Sequence, residues 1–237
     1  MTYGWRLRIG VILPSCNTVM EPEFYKMAPE GVSIHTARMR ISEVTKEELK
    51  KMAEDSPRAA EDLATADVDV IVYGCTSGSF IGGIEWEREI VKKIEEKTGI
   101  LTITTSKAVI DALQHLKLKK IIVVTPYIDE LNELEKKFLE MNGVKVLKIK
   151  GLGILKGLDI GMQPAWTSYK LAKENFTPEA DGIFISCTNF RTLEIIEKLE
   201  HDLGKPVVTS NQASMWAALR TSGIKESIEK YGTLLKS

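Results

Sequence analysis

Val70-Ile71-Val72-Tyr73-Gly74-Cys75-Thr76-Ser77-Gly78-Ser79 reads as a short apolar strand running into a turn of small residues with a cysteine at its head. The pattern returns at Gly182-Ile183-Phe184-Ile185-Ser186-Cys187-Thr188-Asn189, and the two cysteines stand 112 residues apart in a chain of 237. Strands that are apolar on both faces are those of parallel sheets covered by helices on each side. The same offset links Pro14, after Arg8-Ile9-Gly10-Val11-Ile12-Leu13, to Pro126, after Lys120-Ile121-Ile122-Val123-Val124-Thr125. Leu101-Thr102-Ile103-Thr104-Thr105-Ser106 similarly resembles Pro206-Val207-Val208-Thr209-Ser210. Two strand-end motifs at one shared offset imply an internal repeat.

Outward from these motifs, short β-branched runs alternate with amphipathic stretches, the pattern of an α/β chain. Strands are predicted at Leu7–Leu13, Val32–Met39, Val68–Tyr73, Leu101–Thr104, Lys120–Thr125, Val144–Ile149, Gly182–Ser186 and Pro206–Thr209. Helices are predicted at Glu47–Thr65, kinked or divided by Pro57, and at Glu85–Thr98, ending on Gly99. Ser106–Leu116, Asp129–Met141, Pro164–Asn175, Arg191–Leu203 and Asn211–Thr221 follow, with Ser106 and Asp129 as N-caps and Pro164 in a first turn. The expected fold is α/β: two similar lobes, each a roughly four-stranded parallel sheet flanked by helices, related by a pseudo-twofold axis. Residues 1–105 form the N-terminal lobe, with 210–237 packing back on it, and 106–209 the C-terminal lobe, with the active site between them.

A net charge of −1 argues against nucleic acid and anionic membrane surfaces as partners. No apolar run approaches the roughly 20 residues of a membrane span. The N-terminus enters a strand without a signal-peptide core, so a cytoplasmic location is expected. Three cysteines, widely spaced, do not make a disulfide framework, and three scattered histidines assemble no metal site. The expectation is therefore free thiols, no cofactor and no metal.

In open α/β sheets ligands bind beyond the carboxyl ends of the strands. This chain places Pro14-Ser15-Cys16-Asn17-Thr18, Cys75-Thr76-Ser77-Gly78-Ser79, Pro126-Tyr127-Ile128-Asp129 and Cys187-Thr188-Asn189 there. Hydroxyl and amide side chains beside free backbone N–H groups suit a carboxylate. Many such residues serve only as N-caps. A cysteine ending an apolar strand is ordinarily a small buried hydrophobe. Two at matched positions of a repeat, each followed by Thr, point instead to chemistry, and a helix N-terminus would lower the thiol pKa. Cys16 has no mate, since Ile128 stands at its offset, and reads as filler near the pocket. Gly74–Gly83 lacks the lysine of a P-loop, and Gly151-Leu152-Gly153 is only part of a dinucleotide fingerprint.

The repeated strand-Cys-Thr motif resembles the aspartate/glutamate racemase superfamily, which includes arylmalonate decarboxylase. Ile12-Leu13-Pro14-Ser15-Cys16-Asn17-Thr18-Val19-Met20-Glu21-Pro22-Glu23-Phe24 is similar to the first-strand segment of its maleate cis–trans isomerases. The likeness continues through Thr125-Pro126-Tyr127 and Ser210-Asn211-Gln212, covering essentially the whole chain. It implies Cys75 as nucleophile, Cys187 as acid and base, and Asn17 and Tyr127 as holders of a substrate carboxylate; Ser15, Thr76, Ser77, Thr188 and Asn189, from the strand-end loops, are expected as further substrate contacts. Cys16 stands where Ser is expected and Gly157 where Asn is.

The implied activity is cofactor-independent isomerisation of maleate, or a close dicarboxylate, to fumarate through a cysteine adduct, by a homo-oligomer. The alternatives are an aspartate- or glutamate-type racemase with two facing cysteines, a decarboxylase of malonate derivatives, and a dicarboxylate-binding protein with inert thiols. A racemase must also recognise an ammonium, and only Asp129 among the strand-end loops could do so.

Overall fold

The computed structural model describes residues 1–237. The first lobe runs β1 (Leu7–Pro14), α1 (Met20–Met27), β2 (Val32–Met39), α2 (Lys46–Glu54), α3 (Ser56–Ala64), β3 (Val70–Tyr73), α4 (Thr76–Phe80), α5 (Gly83–Thr98) and β4 (Thr102–Thr104). Then come α6 (Thr105–His115), β5 (Lys120–Thr125), α7 (Asp129–Met141), β6 (Lys145–Gly151), α8 (Gly157–Gly161), α9 (Ala165–Asn175) and β7 (Gly182–Ile185). A 3-10 turn at Leu193–Ile195 leads into α10 (Ile196–Leu203), and β8 (Val207–Thr209), α11 (Ser210–Thr221) and α12 (Thr233–Lys236) close the chain.

The strands form two all-parallel sheets of identical topology, β2-β1-β3-β4 and β6-β5-β7-β8. In each, the strand that ends at a cysteine turn is central, beside the strand that ends at a proline. β3 and β7 are buried along their whole length, as strands covered on both faces must be. One cluster of 69 buried apolar residues draws on both sheets, so the lobes share a core rather than meeting across a wet interface. Helix α11 packs on α6 and also touches α1, β3 and β4. No helix is long and apolar enough to cross a membrane.

Local details follow residue chemistry. Pro57, which has no N–H to give, divides the predicted helix into α2 and α3. Gly99 takes φ 71°, a left-handed C-cap open to glycine, and ends α5. Two expected caps move by one position or more. Thr104, not Ser106, caps α6, its hydroxyl accepting from the Lys107 N–H, and Asp129 is the first residue of α7 rather than its cap. Arg191–Leu203 is shortened, because the chain reaches α10 only through the 3-10 turn.

A backbone strap joins the lobes beyond the strand ends. The Val44 N–H donates to Leu155 O at 2.8 Å and the Gly157 N–H to Ser42 O at 3.1 Å, around an antiparallel bridge between Glu43 and Lys156.

Candidate active site

The turns after β1, β3, β5 and β7 converge with the strap on one cavity of about 30 Å³. Cys16, Cys75 and Cys187 all line it, as do Asn17, Thr76, Ser77, Tyr127, Thr188 and Asn189, and no lining residue carries a formal charge. Pro14, Ile41, Val44, Leu49, Gly157 and Ile160 complete the wall. Ser15 lies outside it. Its exposed hydroxyl is tied to the backbone of Ile41, donating to the carbonyl and accepting from the N–H, both at 3.1 Å. The expected role of Ser15 as a substrate contact does not fit that placement.

Cys75 is the N-cap of α4, and its sulfur accepts from the Gly78 N–H at 3.3 Å, with the Ser77 hydroxyl 3.8 Å away. Cys187 follows no helix. It sits in a turn with φ 98°, unusual for a residue with a side chain. Its N–H donates to Ser210 Oγ at 3.0 Å, and its sulfur accepts from the Asn189 N–H at 3.4 Å. The lowered thiol pKa expected from a helix N-terminus is overturned by burial. Burial pushes Cys75 up to about 11, opposed by the Gly78 N–H and Ser77 hydroxyl. It pushes Cys187 up to about 12, opposed by the Tyr127 hydroxyl and the Asn189 N–H. In the empty cavity both are neutral thiols near pH 7.

The polar side chains fall into two groups according to where their donors go. The Thr76 hydroxyl donates to Ser210 Oγ at 2.9 Å, and the Thr188 hydroxyl to Gly74 O at 3.1 Å. Asn189 Nδ2 donates to Gly157 O at 2.7 Å and to Cys16 O at 3.4 Å, while its Oδ1 accepts from the Thr18 N–H. These three side chains lock the two lobes together, and their donors are spent. The second group has donors to spare. Asn17 Nδ2 uses one hydrogen on Thr188 Oγ1 while Oδ1 receives the Val19 and Met20 N–H groups at the start of α1. The N–H groups of Thr76, Ser77 and Thr188 meet no acceptor in the protein, and the Ser77 and Tyr127 hydroxyls are turned only to the Cys75 and Cys187 sulfurs, which are weak acceptors. Unspent N–H groups beside two sulfurs are suited to anionic oxygen.

One residue beside the site, Glu135, was not singled out from sequence. Glu135 is buried behind Cys187 and accepts from the Ser186 hydroxyl at 2.5 Å through Oε1, while Oε2 has no partner. Burial raises its carboxyl to about 8. A signal was present, because Glu135 falls on the apolar stripe of Leu131, Phe138 and Leu139 in α7. Cys16 and Gly157 form one fitted contact. A side-chain carbon built on Gly157 would stand 2.3 Å from Cys16 Sγ, so the thiol occupies the space that a larger residue 157 would need.

The arylmalonate decarboxylase family model matches residues 9–235, and the chain belongs to that family. A maleate isomerase of Pseudomonas putida is 32% identical, with 96% of each chain covered. One from Geobacillus stearothermophilus is 30% identical, again with 96% of each covered. Among solved structures, a maleate isomerase from a Pseudomonas putida strain, crystallised with maleate in a cysteine-to-alanine form, superimposes with a TM-score of 0.93 at 30% identity, covering 97% of both chains.

Proposed function

We propose that this member of the arylmalonate decarboxylase family converts maleate to fumarate, with Cys75 attacking carbon and Cys187 moving the proton. The observation that carries the reading is the convergence of two buried thiols from matched turns on one cavity beside unspent N–H donors. The similarity to maleate isomerases over nearly the whole chain supports the same substrate class.

The cycle starts once the Cys75 thiol has given its proton to water, and from that thiolate, which the last step regenerates, the steps balance without a further reactant. The Cys75 thiolate forms a C–S bond to one alkene carbon, and the π pair moves to the neighbouring carbon, stabilised by its carboxylate. The Cys187 S–H protonates that carbon. The bond between the two carbons is now single and rotates. The Cys187 thiolate then takes a proton back, the double bond re-forms in the trans geometry, and the C–S bond breaks to release the Cys75 thiolate. Asn17, Tyr127, Ser77 and the N–H groups of Thr76, Ser77 and Thr188 hold the carboxylates and receive the developing charge.

The test is a proton spectrum of the protein with maleate in deuterated buffer. Fumarate should accumulate, and Cys75→Ser should abolish its formation. Retained turnover in that variant would sink the scheme. Deuterium entering aspartate or glutamate, with no fumarate formed, would transfer the assignment to a racemase.

The proposal extends to location and assembly. Three free thiols suit the reducing cytoplasm. Leu155, Leu158, Met162 and Trp166 are exposed along one short segment beside the cavity, an apolar surface that suits a homo-oligomer.

A further inference from the structure

Tyr73 ends β3 and Cys75, two residues on, caps α4, and both side chains reach Gly78. Tyr73 is fully buried, and its hydroxyl has no hydrogen-bond partner. Such a group is costly to keep, since an unsatisfied buried donor is destabilising and phenylalanine would remove it. The hydroxyl faces the sulfur across Gly78. A side-chain carbon built on Gly78 would lie 2.9 Å from the Tyr73 hydroxyl, 3.0 Å from Cys75 Sγ and 3.1 Å from Met52 Cε. No side-chain carbon fits at that point, so the phenol and the thiol face each other across the bare Gly78 backbone, with the Met52 methyl alongside.

We propose that Tyr73 is a positioning residue for Cys75: its hydroxyl is held partnerless so that it can donate to the sulfur once the thiol ionises, and Gly78 keeps the path between them clear. The inference rests on the assignment of Cys75 as nucleophile. In the resting site the sulfur is held by the Gly78 N–H. A small rotation of the Cys75 side chain toward Tyr73 brings the thiolate to the phenol, along a line that a side chain at position 78 would block. Tyr73 keeps its proton throughout, because burial, with the neighbouring Cys75 charge, raises its pKa well above the usual value. The other titratable groups felt at Cys75 are the Cys16 thiol and, across the cavity, Cys187 and Tyr127. All are neutral when protonated, so Cys75 has no cation to stabilise its charge, and a buried neutral donor has the most to contribute.

The experiment follows alkylation of Cys75 by iodoacetamide, quantified on its own peptide, in wild type and Tyr73→Phe. Loss of the donor should reduce the thiolate about tenfold. Greater nucleophilicity per thiolate offsets part of that, leaving alkylation at pH 8 about threefold slower. Maleate turnover should lose kcat with KM little changed, while the melting temperature stays level or rises. A merely structural tyrosine would give a lower melting temperature with the Cys75 alkylation rate unchanged, and that result overturns the proposal. Should Tyr73→Phe fold poorly, 3-fluorotyrosine at position 73 decides. Its more acidic phenol should increase the thiolate fraction and speed alkylation, and no change refutes the proposal. Because alkylation needs no substrate, a protein inactive on maleate would refute the isomerase reading and leave this test intact.

Discussion

Glu135→Gln should make the protein more stable at pH 8 and remove most of its pH dependence between pH 5 and 8. The wild-type carboxyl titrates near its usual 4.5 in the unfolded chain and near 8 when folded, because burial disfavours the anion and only the Ser186 hydroxyl supports it. A raised pKa gives stability that is complete below the unfolded value and is lost as pH climbs to the folded one. At about 1.4 kcal/mol per tenfold change in proton affinity, roughly 3–4 kcal/mol disappears between pH 5 and 8. For a chain of this length that is roughly 10 °C in melting temperature. Glu23, also buried, contributes with the same sign, its pKa raised by burial against the Thr192 and Leu193 N–H groups and the Asn211 amide. The lowered carboxylates Asp55, Glu89, Asp181, Glu194, Asp202 and Glu229 act with the opposite sign and only in acid, outside this window. The raised thiols, at about 11 and 12, act only above it. Subtracting the Gln variant therefore isolates Glu135. Glutamine can keep the Ser186 bond and turn its amide toward the void of about 10 Å³ where Ser106 Oγ also lacks a partner. Calorimetric scans at half-unit steps from pH 5 to 8 decide. Parallel melting curves for the two proteins would refute a carboxyl held neutral by burial.

Two further outcomes follow from the fold. Gly157→Asn alone should lower the melting temperature and slow turnover at least tenfold, because its first side-chain carbon would collide with Cys16 Sγ 2.3 Å away. Adding Cys16→Ser should recover part of both losses, and equal damage in single and double variants would disprove the fitted contact. Light scattering should give a multiple of the one-chain mass. Leu158→Glu with Met162→Glu should reduce it to the monomer, and a monomeric wild type would refute assembly through this segment.

The sheets were legible because apolar strands and their repeated turns are local, one-dimensional signals. The period of α7 and the break at Pro57 were equally plain. Cap residues were less so, since Thr104, Thr105 and Ser106 are all competent and only the direction of the chain selects Thr104. The site divided along a different line. That Cys75 and Cys187 share a cavity follows from the repeat. Which polar side chains have donors left over depends on partners up to 173 residues away, as with Asn189 and Cys16. Thr76, Thr188 and Asn189 read as ligand contacts and serve in the structure as crosslinks. Their chemistry was readable and their commitments were not. The thiol pKa values went the other way from expectation for a similar reason, because a helix terminus is visible in sequence and full burial around it is not.

The strap between residues 42–44 and 155–157 has a bearing on durability. The lobes share one core, and the strap residues Val44 and Gly157 stand in the wall of a cavity with room for about one water molecule. Oxidants and electrophiles attack thiolates that they can reach. Here the sulfurs are both buried and mostly protonated near pH 7. Peptide hydrogen bonds in the wall of the cavity thus help to set how long the cysteines survive in a hostile solution.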